Sequence, residues 1–439
     1  MDSGSSRETN SSSGSGQTRT RTLSTSSSAK SLLPARIIEP LEYYSMRRFH
    51  PVHLHDTFQG TRYSIIRKLG YGSFSTVWLA RDNRLDRYVA LKIGQAESEP
   101  TGEIDIYERL ASSNLVSHPG REQYLPLLDH FRVTGPNGIH QALVYEPMGA
   151  SVAEVKDTLF PDSPFPLWTA KSILWQTLLG LDYMLENDIA HGDVQPRNLL
   201  FTLEDLGSRS VAELEQDKDI PLPRVLKDDI DGVKMPKYVV PADSLMRYLD
   251  ISRPFTVKVS DLGGSFLTTN PPHIPAPPFS LRAPETLFER SVTAAQDMWS
   301  FGCLIFEFIT GIALFDLCDI TVFSLTDNLH FIDMYDVLGF PSDEGLRDRQ
   351  WPRWREHFTA NGDRINHYLR GRDRDFDENG APAVLTLEEL LDDLVGGSFS
   401  AEELDTTKDL LRGLLEFDPA KRFSTKDAMR HKWFEGMGV

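Results

Sequence analysis

An Asp followed five positions later by an Asn, within His191-Gly192-Asp193-Val194-Gln195-Pro196-Arg197-Asn198, is a pairing suited to phosphoryl transfer. A carboxylate at 193 can accept the proton of an attacking hydroxyl, and an amide oxygen at 198 can bind a hard cation. Both jobs must be done a few ångströms apart, because the protein contributes mainly positioning and charge neutralisation. The apolar run Leu199-Leu200-Phe201 that follows predicts a strand against which such a loop can be set. Alone, the octapeptide also fits a polar turn after a helix, so its company decides.

That company is chemical too. Gly70-Tyr71-Gly72-Ser73-Phe74-Ser75 lies between two strand-like runs, Tyr63–Leu69 and Thr76–Ala80. Two glycines there let a backbone approach a polyphosphate closely. The next strand-like run, Tyr88–Ile93, carries Lys92 between apolar neighbours, where an ammonium wants a partner charge or a ligand phosphate. Helical spacing over Gly102–Ser112 offers Glu103 or Glu108 as that partner. Farther on, the strand Val257–Ser260 delivers Asp261 to Asp261-Leu262-Gly263.

The elements that must position these groups can be read around them. Ala142–Glu146 predicts a buried strand ending at Pro147-Met148-Gly149, a hinge. Helices are predicted near Ser151–Leu159 and Leu167–Glu186, the second with Leu174, Leu178, Leu181 and Met184 on one stripe. Ala294–Thr310 predicts a buried helix with Asp297 and Trp299. Residues 1–34 are Ser-, Thr- and Gly-rich and are expected to be disordered. A lead-in over 35–62 should pack irregularly on the first lobe, residues 63–149, and a second lobe should span 150–434. Within the second lobe a charged, Pro-dotted insert at about 203–254 reads as a loop, and Asp363–Asp393 reads as another charged excursion.

With 46 basic and 64 acidic residues, for a formal charge of -18, the chain lacks the basic footprint of a nucleic-acid binder. A basic protein partner suits it better. Two cysteines, Cys303 and Cys318, imply no disulfide framework and a reducing compartment. No apolar run is long enough to span a membrane, and MDSGSSRETN has no apolar signal core.

The order Gly70-x-Gly72, Lys92, helix Glu, His191-Gly192-Asp193 with Asn198, Asp261-Leu262-Gly263, Ala283-Pro284-Glu285, Asp297-x-Trp299-x-x-Gly302 and Arg422 resembles the protein kinases. The resemblance implies an α+β fold of two lobes, a small β-rich N-lobe and a larger α-helical C-lobe. Phe49-His50-Pro51-Val52, the run Ile66–Leu79 and the Leu of Asp261-Leu262-Gly263 are similar to the SR-protein kinases, of a compact fungal type. On that likeness Leu69, Gly70, Tyr71, Gly72, Ser73, Phe74, Ser75, Thr76 and Val77 cover ATP. Lys92 holds its phosphates and pairs with Glu103, and Glu146 and Met148 offer hinge backbone groups beside Tyr145. Asp193 is the base, and Asn198 with Asp261 binds Mg²⁺. Glu285 and Arg422 form a buried ion pair. The implied activity is ATP-dependent phosphorylation of Ser or Thr on basic, Arg/Ser-rich proteins in mRNA processing. A monomer is implied, cytoplasmic and nuclear, with no direct nucleic acid or membrane partner.

The chain also departs from the family pattern. Gln195 stands where a Lys usually neutralises the transferred phosphate, and Arg197 is the candidate substitute cation. Gly192 replaces the Arg that grips an activation-loop phosphate, so activity independent of such phosphorylation is expected. Pro277-Pro278-Phe279-Ser280 lacks the usual Thr. Asp336 aligns with a substrate-docking acid, while Leu329 does not preserve a second. A pseudokinase scaffold is the alternative reading.

Overall fold

The computed structural model describes residues 38–46, 49–96, 102–204, 206–216, 229–230, 233–315, 323–365 and 385–437. The tail at 1–34, Cys318 and most of the second charged excursion lie outside the described residues.

The lead-in contains a short helix, α1 (Glu42–Met46), and an edge strand, β1 (Thr57–Phe58), so it is more ordered than its composition suggests. Strands β2 (Tyr63–Tyr71), β3 (Ser75–Asp82) and β4 (Arg87–Ala96), helix α2 (Glu103–Ala111), and strands β5 (Asp129–Gly135) and β6 (Gly138–Tyr145) follow. The six strands form one antiparallel sheet in the order β1-β2-β3-β4-β6-β5. Period-two alternation sorts its faces. On β4, Val89, Leu91 and Ile93 join Trp78, Ala142 and Val144 in one apolar cluster, and Lys92 points the other way, at α2.

The second lobe begins with α3 (Val152–Leu159) and α4 (Leu167–Glu186). Paired strands β7 (Ile189–Ala190) and β8 (Leu199–Phe201) flank the octapeptide. After the insert elements α5 (Val211–Leu214), β9 (Asp229–Ile230) and β10 (Val233–Lys234), strands β11 (Val257–Val259) and β12 (Phe266–Leu267) return to pair antiparallel with β8 and β7. Helices α6 (Ala295–Thr310), α7 (Phe323–Leu338), α8 (Glu344–Gln350), α9 (Leu387–Val395), α10 (Ala401–Leu414) and α11 (Thr425–Arg430) complete the lobe. Reciprocal capping boxes start α9, α10 and α11, with Thr386, Ser400 and Ser424 exchanging bonds with acids three residues on. Leu174, Leu178, Leu181 and Met184 of α4 pack with Trp299, Leu304 and Phe308 of α6 in one core. Cys303 is buried there as a free thiol. Among the described residues no helix is long and apolar enough to cross a membrane.

The insert differs from the expected C-lobe loop in where it packs. Leu206, Leu214 and Leu245 cluster with Ile66, Leu79 and Tyr88 of the N-lobe sheet. Met235 and Val239 pack on Tyr44 and Phe49 of the lead-in, and Val240 joins the sheet cluster. Two buried charges fasten these segments. Arg67 donates to the carbonyls of Leu214 (2.9 Å) and Glu215 (2.8 Å). Fully buried Lys68 pairs with buried Glu39, which also accepts from the Tyr44 hydroxyl at 2.7 Å. The β2–β3 register shifts on either side of Arg67-Lys68, a local irregularity that accompanies two consecutive cations turned inward.

Candidate active site

The two short ladders β7–β12 and β8–β11 hold both ends of the octapeptide, and their partner strands deliver Asp261 to the same place. His191 is locked from three sides. Its amide donates to Asp297 Oδ2 (2.7 Å), its Nε2 contacts the Ser260 carbonyl (3.1 Å), and its Nδ1 accepts from the Asp193 amide (3.2 Å). Those partners select the neutral Nε2–H tautomer. Asp297 also accepts from the Gly192 amide (2.9 Å), and burial pushes its carboxyl up to about 6.

Asp193 is held through one oxygen only. Gln195 Nε2 donates to its Oδ2 at 2.7 Å and Asn198 Nδ2 at 2.9 Å. Its Oδ1 is buried without a hydrogen-bond partner among the described residues, an acceptor left unsatisfied by the fold. Burial raises the Asp193 pKa, opposed by the hydrogen bonds from Gln195 and Asn198. Asn198 also donates to the Asp193 carbonyl (2.9 Å), which commits its NH₂ to the loop and leaves its amide oxygen for a cation.

Lys92 Nζ lies 3.1 Å from Glu103 Oε1 and 2.7 Å from Asp261 Oδ1. Of the two helix candidates, Glu103 is therefore the partner, and Glu108 is exposed. Burial works against the Lys92 charge, but Asp261 and Glu103 more than offset it, so the ammonium is held protonated. Lys92 in turn keeps the Asp261 carboxyl below its ordinary range. Asp261 sits at φ +60, a left-handed conformation that a non-glycine residue adopts at a cost. The Tyr145 hydroxyl reaches Glu103 Oε1 at 3.4 Å, a contact that nothing in the residue spacing announces.

The β2–β3 turn is closed by Gly72 N–H to the Ser75 carbonyl at 2.9 Å, and β3 pairs Val77 with Lys92. Leu69 and Val77 pack at the edge of the main core, Phe74 is exposed at the tip, and the Thr76 hydroxyl accepts from Trp78 Nε1 on the far face. At Gly70 and Gly72 φ is not left-handed and a Cβ would meet nothing within 4 Å. Neither backbone strain nor protein packing demands glycine there. At the hinge, Glu146 pairs through its side chain with Lys258 (2.6 Å), and Met148 is buried. Among the described residues, no loop hydrogen bond uses the Glu146 carbonyl or the Met148 amide.

Two expectations, for Arg197 and Asp336, meet a different arrangement. Arg197 is exposed and pairs with neither Asp193 nor Asp261 among the described residues, and the neutral Gln195 occupies the place beside the base. Asp336 is not presented to solvent: it pairs with Arg364 at 2.9 Å, and Leu329 is buried. Gly192 sits at φ +78, and a Cβ there would lie 2.2 Å from the Gly264 carbonyl. An Arg at this position is sterically barred, whatever it would bind. Gly192→Arg should displace the 262–265 turn and reduce turnover by at least about tenfold. Steady-state rates and a melting curve check this, and a fully active variant would refute the clash.

The protein kinase domain family matches residues 63–218 and 249–434. The chain belongs to the protein kinase family. This kinase is 28% identical to the serine/threonine-protein kinase SRPK of Physarum polycephalum, over 90% of this chain and 91% of that one. It is 25% identical to protein kinase dsk1 of Schizosaccharomyces pombe, over 90% and 84%. A serine/threonine protein kinase of Aspergillus fumigatus is 32% identical over 61% of this chain and 62% of its own. The kinase is thus a serine/threonine-protein kinase similar to the SR-protein kinases. The break in the domain match, between 218 and 249, falls within the insert that packs on the N-lobe.

Proposed function

We propose that this kinase transfers the γ-phosphate of ATP to Ser or Thr of basic, Arg/Ser-rich proteins. The open Asp193 Oδ1, in a site whose other charged groups are already paired, carries the reading. A substrate hydroxyl donates to that oxygen and its own oxygen attacks the γ-phosphorus. The bond to the β-phosphate oxygen breaks, ADP leaves, and Asp193 takes the proton. Lys92, braced by Glu103, meets the phosphates, and the turn at Gly70–Gly72 covers them. This reading gives the Glu146 carbonyl and the Met148 amide, unused by loop hydrogen bonds among the described residues, to the adenine edge.

Asn198 offers an amide oxygen and Asp261 a carboxylate, a hard-oxygen pair that fits Mg²⁺. When bound, the ion neutralises charge on the phosphates. Gln195 supplies a dipole rather than a charge, so this reading assigns it to holding the base and leaves Arg197 as the residue that can swing in from the surface. The scaffold alternative gains nothing from the geometry, since the Lys92–Glu103 pair is assembled.

The test is ATP turnover by the full chain with Mg²⁺ on three peptides: Arg-Ser repeats, the same repeats with Tyr, and an acidic control. Transfer to the Arg-Ser peptide supports the proposal. Transfer only to Tyr overturns the acceptor, and none to any peptide overturns the function. The Asp336–Arg364 pair adds a graded expectation. Arg364→Ala should take this partner from Asp336 and lower KM for the Arg-Ser peptide roughly threefold to tenfold, a modest electrostatic gain. An unchanged KM would remove Asp336 from substrate docking. The same reading extends to a cytoplasmic and nuclear location, which cell fractionation checks.

A further inference from the structure

Asp243 and Ser244 are consecutive residues that grip opposite lobes. The Asp243 amide donates to the Lys68 carbonyl at 2.9 Å, and its carboxylate lies 3.2 Å from Arg67 Nη1. Both partners are on β2, immediately before Leu69 and Gly70. The Ser244 hydroxyl donates to the Glu154 carboxylate on α3, the first helix of the C-lobe. Leu245, next in the chain, is buried among Ile66, Leu79 and Tyr88, with Leu69 and Leu203 at the margin of the same cluster.

The contact is reinforced along the strand. β1 pairs with Tyr63 and Ser64, and His55 and Asp56 just before it bond the Ile65 carbonyl and amide, both at 2.9 Å, so the lead-in covers that edge of β2 as far as Ile65. The insert continues from there: Gln216 N–H donates to the Ile66 carbonyl (3.2 Å), Gln216 Oε1 accepts from the Lys68 amide (3.2 Å), and Asp243 follows at Lys68. The Gln216 amide also donates to the Pro241 carbonyl (3.3 Å), tying the two insert arms together. On the C-lobe side, Glu154 is half-buried, with the carboxylates of Asp243 and Asp157 nearby. The Ser244 donor is what satisfies it, so releasing that bond leaves a carboxylate poorly placed.

We propose that Asp243 and Ser244 form a further tie between the lobes, on the β2 side, in addition to the hinge at 146–149 and the bonds Lys92 and α2 make to the C-lobe, and thereby position the glycine-rich turn over bound nucleotide. These are positioning residues: they act through β2 and touch no substrate. Fixing the root of the turn restricts rocking of the N-lobe, which slows nucleotide release and lowers the ordering cost of binding. The proposal rests on the reading of the Gly70–Gly72 turn as the nucleotide roof.

The experiment uses the full chain and a fluorescent ATP analogue, with dissociation constant, release rate and melting temperature measured together. Ser244→Ala and Asp243→Asn should each weaken binding about fivefold and speed release by a similar factor. Ser244→Asp, which sets two carboxylates face to face, should weaken it further, and Glu154→Gln in that background should restore it. Restoration ties the effect to the contact. Variants that lose melting temperature yet keep the wild-type dissociation constant and release rate would show a purely structural role and overturn the proposal. Wild-type protein that binds no nucleotide would overturn the proposed function itself, a distinct result.

Discussion

Asp193→Asn should lower turnover by about 10²–10⁴-fold, the range for loss of a positioned base, and leave nucleotide binding and melting temperature near wild type. The asymmetry of the carboxylate is the reason. Its Oδ2 receives both Gln195 and Asn198, and an asparagine oxygen can take the same two bonds. The asparagine NH₂ then falls where Oδ1 was, so a donor faces the substrate hydroxyl in place of an acceptor. The fold keeps its contacts and the reaction loses its proton acceptor. The wild-type pH profile should carry the same signature. Asp193 works deprotonated, and burial raises its pKa, so turnover climbs with pH through a limb above the ordinary value of about 3.9. Gln195→Lys, placing a cation 2.7 Å away, should move that limb down. Undiminished turnover in Asp193→Asn, or a limb that ignores Gln195→Lys, would remove Asp193 from the base role.

Arg422→Ala should be the most destabilising single change considered, at about 3–5 kcal/mol, the usual cost of stranding one member of a buried ion pair. Arg422 and Glu285 are almost wholly buried and meet fork to fork, Nη1 to Oε1 at 2.8 Å and Nη2 to Oε2 at 2.9 Å. Nε and Nη1 also donate to the Glu416 and Ala295 carbonyls at 2.9 Å, so four of the five guanidinium N–H groups are used. Removing it leaves the buried Glu285 side chain without its partner in the interior. Replacing both partners with apolar residues of similar volume should recover much of the loss. Chemical denaturation measures both, and a single variant costing under about 1 kcal/mol would mean that water reaches this pair.

What could be read from the chain alone followed from how local each piece of chemistry is. Asp193 and Asn198 share one loop, Lys92 shows itself as a charge in a strand otherwise fit for burial, and Asp261 arrives at the end of a strand. The helix glutamate was a choice of two because Glu103 and Glu108 lie on different faces of α2, and only the position of α2 against β4 selects between them. The insert hid its packing because Leu206, Leu214, Met235, Val239 and Leu245 follow no period and are diluted by charge. The burial of Arg67 and Lys68 has no local signal for a related reason: their partners, Asp243 and Glu39, are distant in sequence. Asp336 looked like a free carboxylate until the chain returned with Arg364.

The β8–β11 ladder closes the insert on itself. Phe201 stands opposite Val257, and the Thr202 amide donates to the Thr256 carbonyl at 2.9 Å, so the segment leaves and re-enters the body at one point. Loop-closure entropy rises only slowly with length, about 0.6 kcal/mol per doubling. The ladder is therefore nearly indifferent to what is threaded between its strands. A two-residue hairpin or a much longer stretch could occupy the same doorway while the catalytic loop kept its dimensions. The amount of sequence carried there is thus free to drift, whereas its few anchoring residues are not.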